Sequence, residues 1–202
     1  MKNDNLNPIE VFSMEEFLKE SPNLYSHNVE RHEDWNGNNE KEAQRIIDNS
    51  EYLGIFDYKG LKYKLYSKKE KEYIFYYLLH SEWLSLLFLH QVLPTKLINL
   101  NGIESVDIWQ NHALRDFTSK LATYWVFNYI LKNYNFIMSD KLHTPLGKHF
   151  WFKLLKESLE KKLNTVVYDI RENKHISLNN LDNFDDFYGN EGKGHFRFII
   201  FK

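Results

Sequence analysis

From residue 53 onward, apolar and polar positions alternate in short runs separated by turn residues. In "LGIFDYKGLKYKLYS" the alternation proceeds on both sides of Tyr58-Lys59-Gly60, which predicts a hairpin. "KEYIFYYLL" and "EWLSLLFLHQVL" follow as two more strands joined around His80-Ser81, so the series predicts an antiparallel meander. Pro94 and Asn101-Gly102 predict a break, with a further strand after it in "GIESVDIWQ", Gly102 to Gln110.

The period then changes from two to that of a helix. "TSKLATYWVFNYILK", Thr118 to Lys132, contains no Gly or Pro and repeats Leu121, Trp125 and Tyr129 at i+4 spacing, which predicts a largely buried helix. "YNFIMS" is too short for another helix and predicts a central strand. Thr144-Pro145 is a helix start, because Thr caps free amides and Pro at the first position gives up no needed donor. Leu146, Phe150, Leu154 and Leu155 form that helix's buried stripe. "NTVVYDI" predicts a strand, "KHISL" a hairpin partner for it, "LDNFDDFYGNEGKG" a loop and "HFRFIIFK" a closing strand. Residues 1–50 read as a polar segment carrying two short helices outside the main sheet. These are "SMEEFLKE", with Ser13 and Glu16 at capping-box spacing, and "NEKEAQRIID". The expectation is one main domain over residues 51–202, of α+β class, with a mixed, mostly antiparallel central sheet flanked by helices.

Composition narrows the function classes. Of 202 residues, 43% are hydrophobic and 16% aromatic, which excludes a disordered chain. The 26 basic and 28 acidic residues nearly cancel, which argues against duplex nucleic acid unless Lys141, Lys148, Lys153, Lys156, Lys161 and Lys162 share one face. The absence of cysteine removes disulfides and thiolate catalysis and fits a reducing compartment. "MKNDNLNPIE" lacks a signal peptide's apolar run, and Tyr73–Leu93 is interrupted by His80, Ser81, Glu82, His90 and Gln91, so no membrane span is expected. The expectation is a soluble, cytoplasmic protein.

"ESVDIWQNHALRDFTSKLATYWVFNYILK" is a strand, loop and helix; "NFIMSD" and "TPLGKHFWFKLLKESLEKK" are the next strand and helix. This order over residues 53 to 201, with Ser139-Asp140, His143-Thr144, Gly147-Lys148 and Phe150-Trp151 at their spacings, resembles the GNAT superfamily of N-acetyltransferases. The pattern is similar to that of uncharacterised GNAT-like proteins, some encoded by bacteriophages. The resemblance implies an acyl-CoA-dependent N-acyltransferase that uses acetyl-CoA or another acyl-CoA, with a small-molecule or protein amine as acceptor. The family's phosphate loop runs Arg or Gln, two residues, Gly, one residue, Gly or Ala. Its place here is Arg115-Asp116-Phe117-Thr118-Ser119-Lys120, with Thr118 and Lys120 where the family has glycine.

On that resemblance Arg115, Thr118, Ser119 and Lys120 bind the cofactor's diphosphate at a helix N-terminus. An ordinary capped helix start is the competing reading. Glu104 or Asp107 on the preceding strand, or His112 at its end, are the candidates to deprotonate the amine. His143 in "SDKLHT" is a further candidate base with Asp140 orienting it, against the competing reading of a plain turn. Phe150 and Trp151 stand near the place of the family's proton-donating tyrosine and read as core. A second function class keeps the scaffold without its chemistry: a phage-type protein that engages a host macromolecule through tyrosine and tryptophan anchors. No metal site is expected, since His143 and His149 are six apart and His27 and His32 have no carboxylate at ligand spacing.

Overall fold

A computed structural model describes residues 40–82, 85–97, 99–110, 120–141, 145–188 and 193–202. Helix α1 (Glu40–Asn49) precedes β1 (Glu51–Tyr58), β2 (Leu61–Glu70), β3 (Tyr73–His80), β4 (Leu86–Leu97) and β5 (Leu100–Gln110). A helical rod follows, made of α2 (Leu121–Trp125), a π-helical turn (Val126–Ile130) and α3 (Leu131–Asn133). Then come β6 (Phe136–Ser139), α4 (Pro145–Glu160), β7 (Thr165–Asp169), β8 (Lys174–Ser177), α5 (Phe184–Phe187) and β9 (Phe196–Phe201). Among the described residues the strands form one nine-stranded sheet in the order β1-β2-β3-β4-β5-β6-β9-β7-β8. The β5–β6 pair is parallel and the other pairs are antiparallel, so the α+β, mostly antiparallel architecture holds.

The β1–β2 hairpin turns on Lys59 and Gly60, both at positive φ (54° and 76°). Two consecutive left-handed residues give the turn a twist that matches the strands. Asp57 Oδ1 accepts the Gly60 amide at 3.2 Å. Two readings are corrected at β4 and β5. Pro94 does not end a strand, because β4 continues to Leu97. It lies beyond Val92, the last β4 residue paired with β3, so its missing N–H takes no bond from that neighbour. Gly102 is not a break either, for it sits inside β5, opposite Phe136. A Cβ there would come within 2.4 Å of the Phe136 ring, so the glycine makes room for a buried aromatic.

One face of the sheet packs the helical rod and α4 over a core containing Phe56, Tyr76, Phe88, Ile103, Trp125 and Phe198. On the other face, α1 buries Ala43 and Ile46 against Tyr66, Tyr77 and Leu89. The π-helical turn, a single wide turn of a kind found often at functional sites, lies at the centre of the rod. Trp125 and Tyr129 stack across it at 4.2 Å. Trp151 is core, stacked on Phe198. The predicted loop at residues 181–194 contains α5, whose Phe184 packs on Phe152, Tyr188 and Phe198. No helix among the described residues is long and apolar enough to cross a membrane.

Candidate functional site

In the middle of the sheet the pairing of two neighbouring strands parts, because one outlasts the other. Strand β6 pairs with β5 from Gly102–Phe136 to Ser105–Ser139 and ends there. Strand β5 runs on to Gln110, with residues 106–110 half-buried and held on their other side by β4. A bulge at Val106, between the pairs Val92–Ser105 and Gln91–Asp107, bends β5 where the strands part.

Glu104 occupies the parting. Paired with Leu93 and Met138, it projects to the face that carries Phe136, Met138 and Ile199. It is 6% exposed, and its Oε2 has no hydrogen-bond partner among the described residues. Burial pushes its carboxyl up to about 7, against a weaker downward pull from the charges of Arg197 and Lys141. Burial disfavours the ionised form, and only a close ion pair would have offset that in full. Arg197, two residues before Ile199 on β9, is buried on the same face; its Nη1 donates to the carbonyls of Gly194 (2.8 Å) and Phe196 (2.9 Å). Asp107 lies half-buried on β5 beyond the bulge, paired with Gln91.

The opposite face of the parting holds a buried polar relay. Trp125 Nε1–H donates to His90 Nδ1 at 3.0 Å, and His90 Nε2 lies 2.9 Å from Ser105 Oγ. Indole nitrogen is a donor only, so His90 Nδ1 must be the acceptor and Nε2 carries the proton. Burial holds the imidazole down to about 3, which keeps it neutral. The contact therefore looks like a serine–histidine dyad and runs the other way: histidine donates to serine, so Ser105 has no base at His90 and is not an activated nucleophile. Next to Ser105, Ser139 Oγ accepts the Phe198 amide at 3.0 Å where β6 ends.

At the start of α2, Lys120 has φ 62° and ψ 7°. The residue in the family's second glycine place thus adopts the left-handed conformation that glycine favours. His112, Arg115, Thr118, Ser119 and His143 lie outside the described residues. Asp140 follows β6, and its charge together with burial, the larger effect, pushes the Tyr188 hydroxyl up. Tyr188 is buried against Phe184 and Phe198. The parting thus joins Glu104, which the sequence singled out, with His90, Ser105, Trp125 and Arg197, which it did not. His90 is marked in sequence only as a polar break in an apolar run. Among the described residues no three His, Asp or Glu side chains gather to hold a metal ion. Comparison with protein-family models, curated proteins and solved structures finds no match for the chain.

Proposed function

We propose that the chain is an acyl-CoA-dependent N-acyltransferase with a GNAT-like fold, which moves an acyl group from acetyl-CoA or another acyl-CoA to an amine. One observation carries the reading: β5 outruns β6, and beside the end of their pairing stands a buried carboxyl, one oxygen of which has no hydrogen-bond partner among the described residues. Beyond Ser105, β5 continues without β6 beside it, a stretch that would suit an extended ligand carrying amides, such as pantetheine. The order strand, helix, strand, helix and closing strands agrees with the resemblance. Lys120, with its glycine-like backbone at a helix start, would supply charge to the diphosphate.

Acyl-CoA supplies an activated carbonyl and a thiolate leaving group when bound. Glu104, poised near neutrality, takes a proton from the amine. The amine nitrogen then forms the new C–N bond, the C–S bond breaks, and the sulfur keeps its electron pair. Calorimetric titration with acetyl-CoA tests the reading. The wild-type chain and Glu104→Gln are expected to bind alike, while thiol release in the presence of a panel of small amines and lysine peptides falls about 10²- to 10⁴-fold in the variant. No binding at millimolar acetyl-CoA rejects the proposal.

A second reading, a scaffold that binds a host macromolecule, has one observation in its favour. On the edge strand β1, Tyr52 (52%), Leu53 (40%) and Ile55 (52%) are exposed. Open strand edges are templates for pairing with another chain. Recovery of one stoichiometric partner, lost in Ile55→Lys, would favour it.

A further inference from the structure

Two serines face each other across the last pair of the β5–β6 ladder. Directly paired residues project to one face of a sheet, so Ser105 and Ser139 share a side, opposite to that of Glu104 on β5. Both are buried. Each oxygen already accepts a hydrogen bond, Ser105 from His90 Nε2–H and Ser139 from the Phe198 amide. No bond joins the two hydroxyls, and among the described residues neither hydroxyl hydrogen has an acceptor.

A hydroxyl whose oxygen already accepts one hydrogen bond, and whose hydrogen is unused, still has that hydrogen to donate to a newcomer. Donation into that oxygen also polarises the O–H, because linked hydrogen bonds strengthen one another in a low-dielectric setting. Trp125 enforces this for Ser105: its indole N–H fixes the His90 tautomer and leaves imidazole no lone pair for the serine proton. For Ser139 the Phe198 amide takes the place of His90 as the donor into Oγ. Two buried donors with no acceptor carry an unrepaid desolvation cost unless a ligand atom meets them.

We propose that Ser105 and Ser139 form a two-hydroxyl site that receives the carbonyl oxygen of the acyl thioester, with His90 and Trp125 as positioning residues behind Ser105. The inference rests on the acyl-CoA reading. A ligand wedged between β5 and β6 has its reactive end where they part. The two hydroxyls meet its oxygen from one face of β5, and Glu104 receives the amine proton from the other. As the C–N bond forms, the carbonyl electron pair moves onto the oxygen, and the hydroxyls stabilise that charge without giving up their protons. When the pair returns, the C–S bond breaks and the thiolate departs.

The test is the infrared band of the thioester carbonyl in [1-13C]acetyl-CoA bound to the full chain, with binding followed by calorimetry. In the wild type the band moves to lower wavenumber relative to the ligand in an apolar solvent. Ser105→Ala and Ser139→Ala are each expected to lose part of that shift, and the double variant to lose all of it, with binding retained. Trp125→Phe frees the His90 tautomer and is expected to lose part of the Ser105 contribution, which a merely structural role would not move. Where an alanine variant does not fold, cysteine at the same position keeps the volume with a weaker donor and carries the same expectation. A band unmoved by substitution at either serine, in protein that binds acetyl-CoA, overturns this site alone. A wild-type chain that does not bind acetyl-CoA overturns the site and the acyl-CoA reading together.

Discussion

The strands β1 to β3 and the strands β5, β6 and β9 belong to one sheet and solve opposite problems. The whole of β3 pairs with β2, from Glu70–Tyr73 to Tyr63–His80, and among the described residues of β1 to β3 His80 alone is a buried polar side chain. Its Nδ1 accepts the Glu82 amide at 3.2 Å. The β5–β6 ladder stops at Ser105–Ser139, and around its end Glu104, Ser105, Ser139 and Arg197 are buried. In the first region the β2–β3 ladder runs unbroken, and among the described residues no buried side-chain nitrogen or oxygen of β1 to β3 lacks a hydrogen-bond partner. In the second, polar groups lose water without full replacement, a cost of about 1–3 kcal/mol per unmet group. Such a cost persists in a fold where the groups have another use, and the contrast is the argument for placing the proposed site there.

The contrast breaks most readily at Glu104. Its carboxyl moves from an ordinary 4.5 to about 7 on burial. A raised value means that the folded chain holds the proton more tightly than the unfolded one. The stability linked to that proton is fully present below about pH 4.5 and is lost as pH rises through 7. At 1.36 kcal/mol per unit, the loss is about 3 kcal/mol. Glu104→Gln removes this dependence. Urea unfolding of both proteins at several values between pH 4.5 and 8 should show the variant gaining on the wild type as pH rises. A constant difference would mean that Glu104 is as well solvated as a residue of β1, and the two regions would no longer differ. No comparable change is expected for Tyr63, which burial pushes up to about 12, outside that range.

Gly102 gives the next largest effect. Alanine there must displace the ring of a fully buried Phe136, and overpacking of that kind costs about 1–3 kcal/mol. The damage falls on the β5–β6 pair, so Gly102→Ala should also weaken acetyl-CoA binding. Chemical denaturation and calorimetry on the same sample check both. Unchanged stability would show that the parallel pair is loosely packed and does not set the parting.

The meander was legible because its signals are local. Alternation fixes each strand's faces, and Lys59-Gly60 marks the turn within the hairpin it closes. The helical rod over residues 121–133 was legible in outline, though its π-helical turn has no sequence mark. Glu104 could be singled out as an acidic residue on the strand before the loop. The rest depends on distant partners. His90 meets Trp125 from 35 residues away and Ser105 from 15, so neither its tautomer nor its direction of donation follows from local pattern. Strand β9 lies between β6 and β7 although it follows both in sequence, which is what brings Arg197 beside Glu104. Pro94 was misread because a proline's tolerance depends on which strand lies beside it.

Two lysines sharpen the comparison with the smallest effect. Lys59 in the meander hairpin and Lys120 at the start of α2 have nearly the same left-handed φ, 54° and 62°. Glycine at either place relieves about 1 kcal/mol of backbone strain and returns about 0.5–1 kcal/mol through the freer unfolded chain. The two stability changes should therefore be small and alike. Their effects on ligand should differ. Lys59→Gly is expected to leave acetyl-CoA affinity unchanged. Lys120→Gly keeps the backbone conformation but removes an exposed positive charge from the proposed diphosphate site, a loss of about 0.5–1 kcal/mol or two- to fivefold in affinity. Added salt screens exposed charges, so the difference should shrink between about 0.05 M and 0.5 M. Calorimetric titrations of both variants at the two salt concentrations separate the outcomes. Equal affinities at low salt would mean that the left-handed residue at the helix start is, like its counterpart in the hairpin, only a turn.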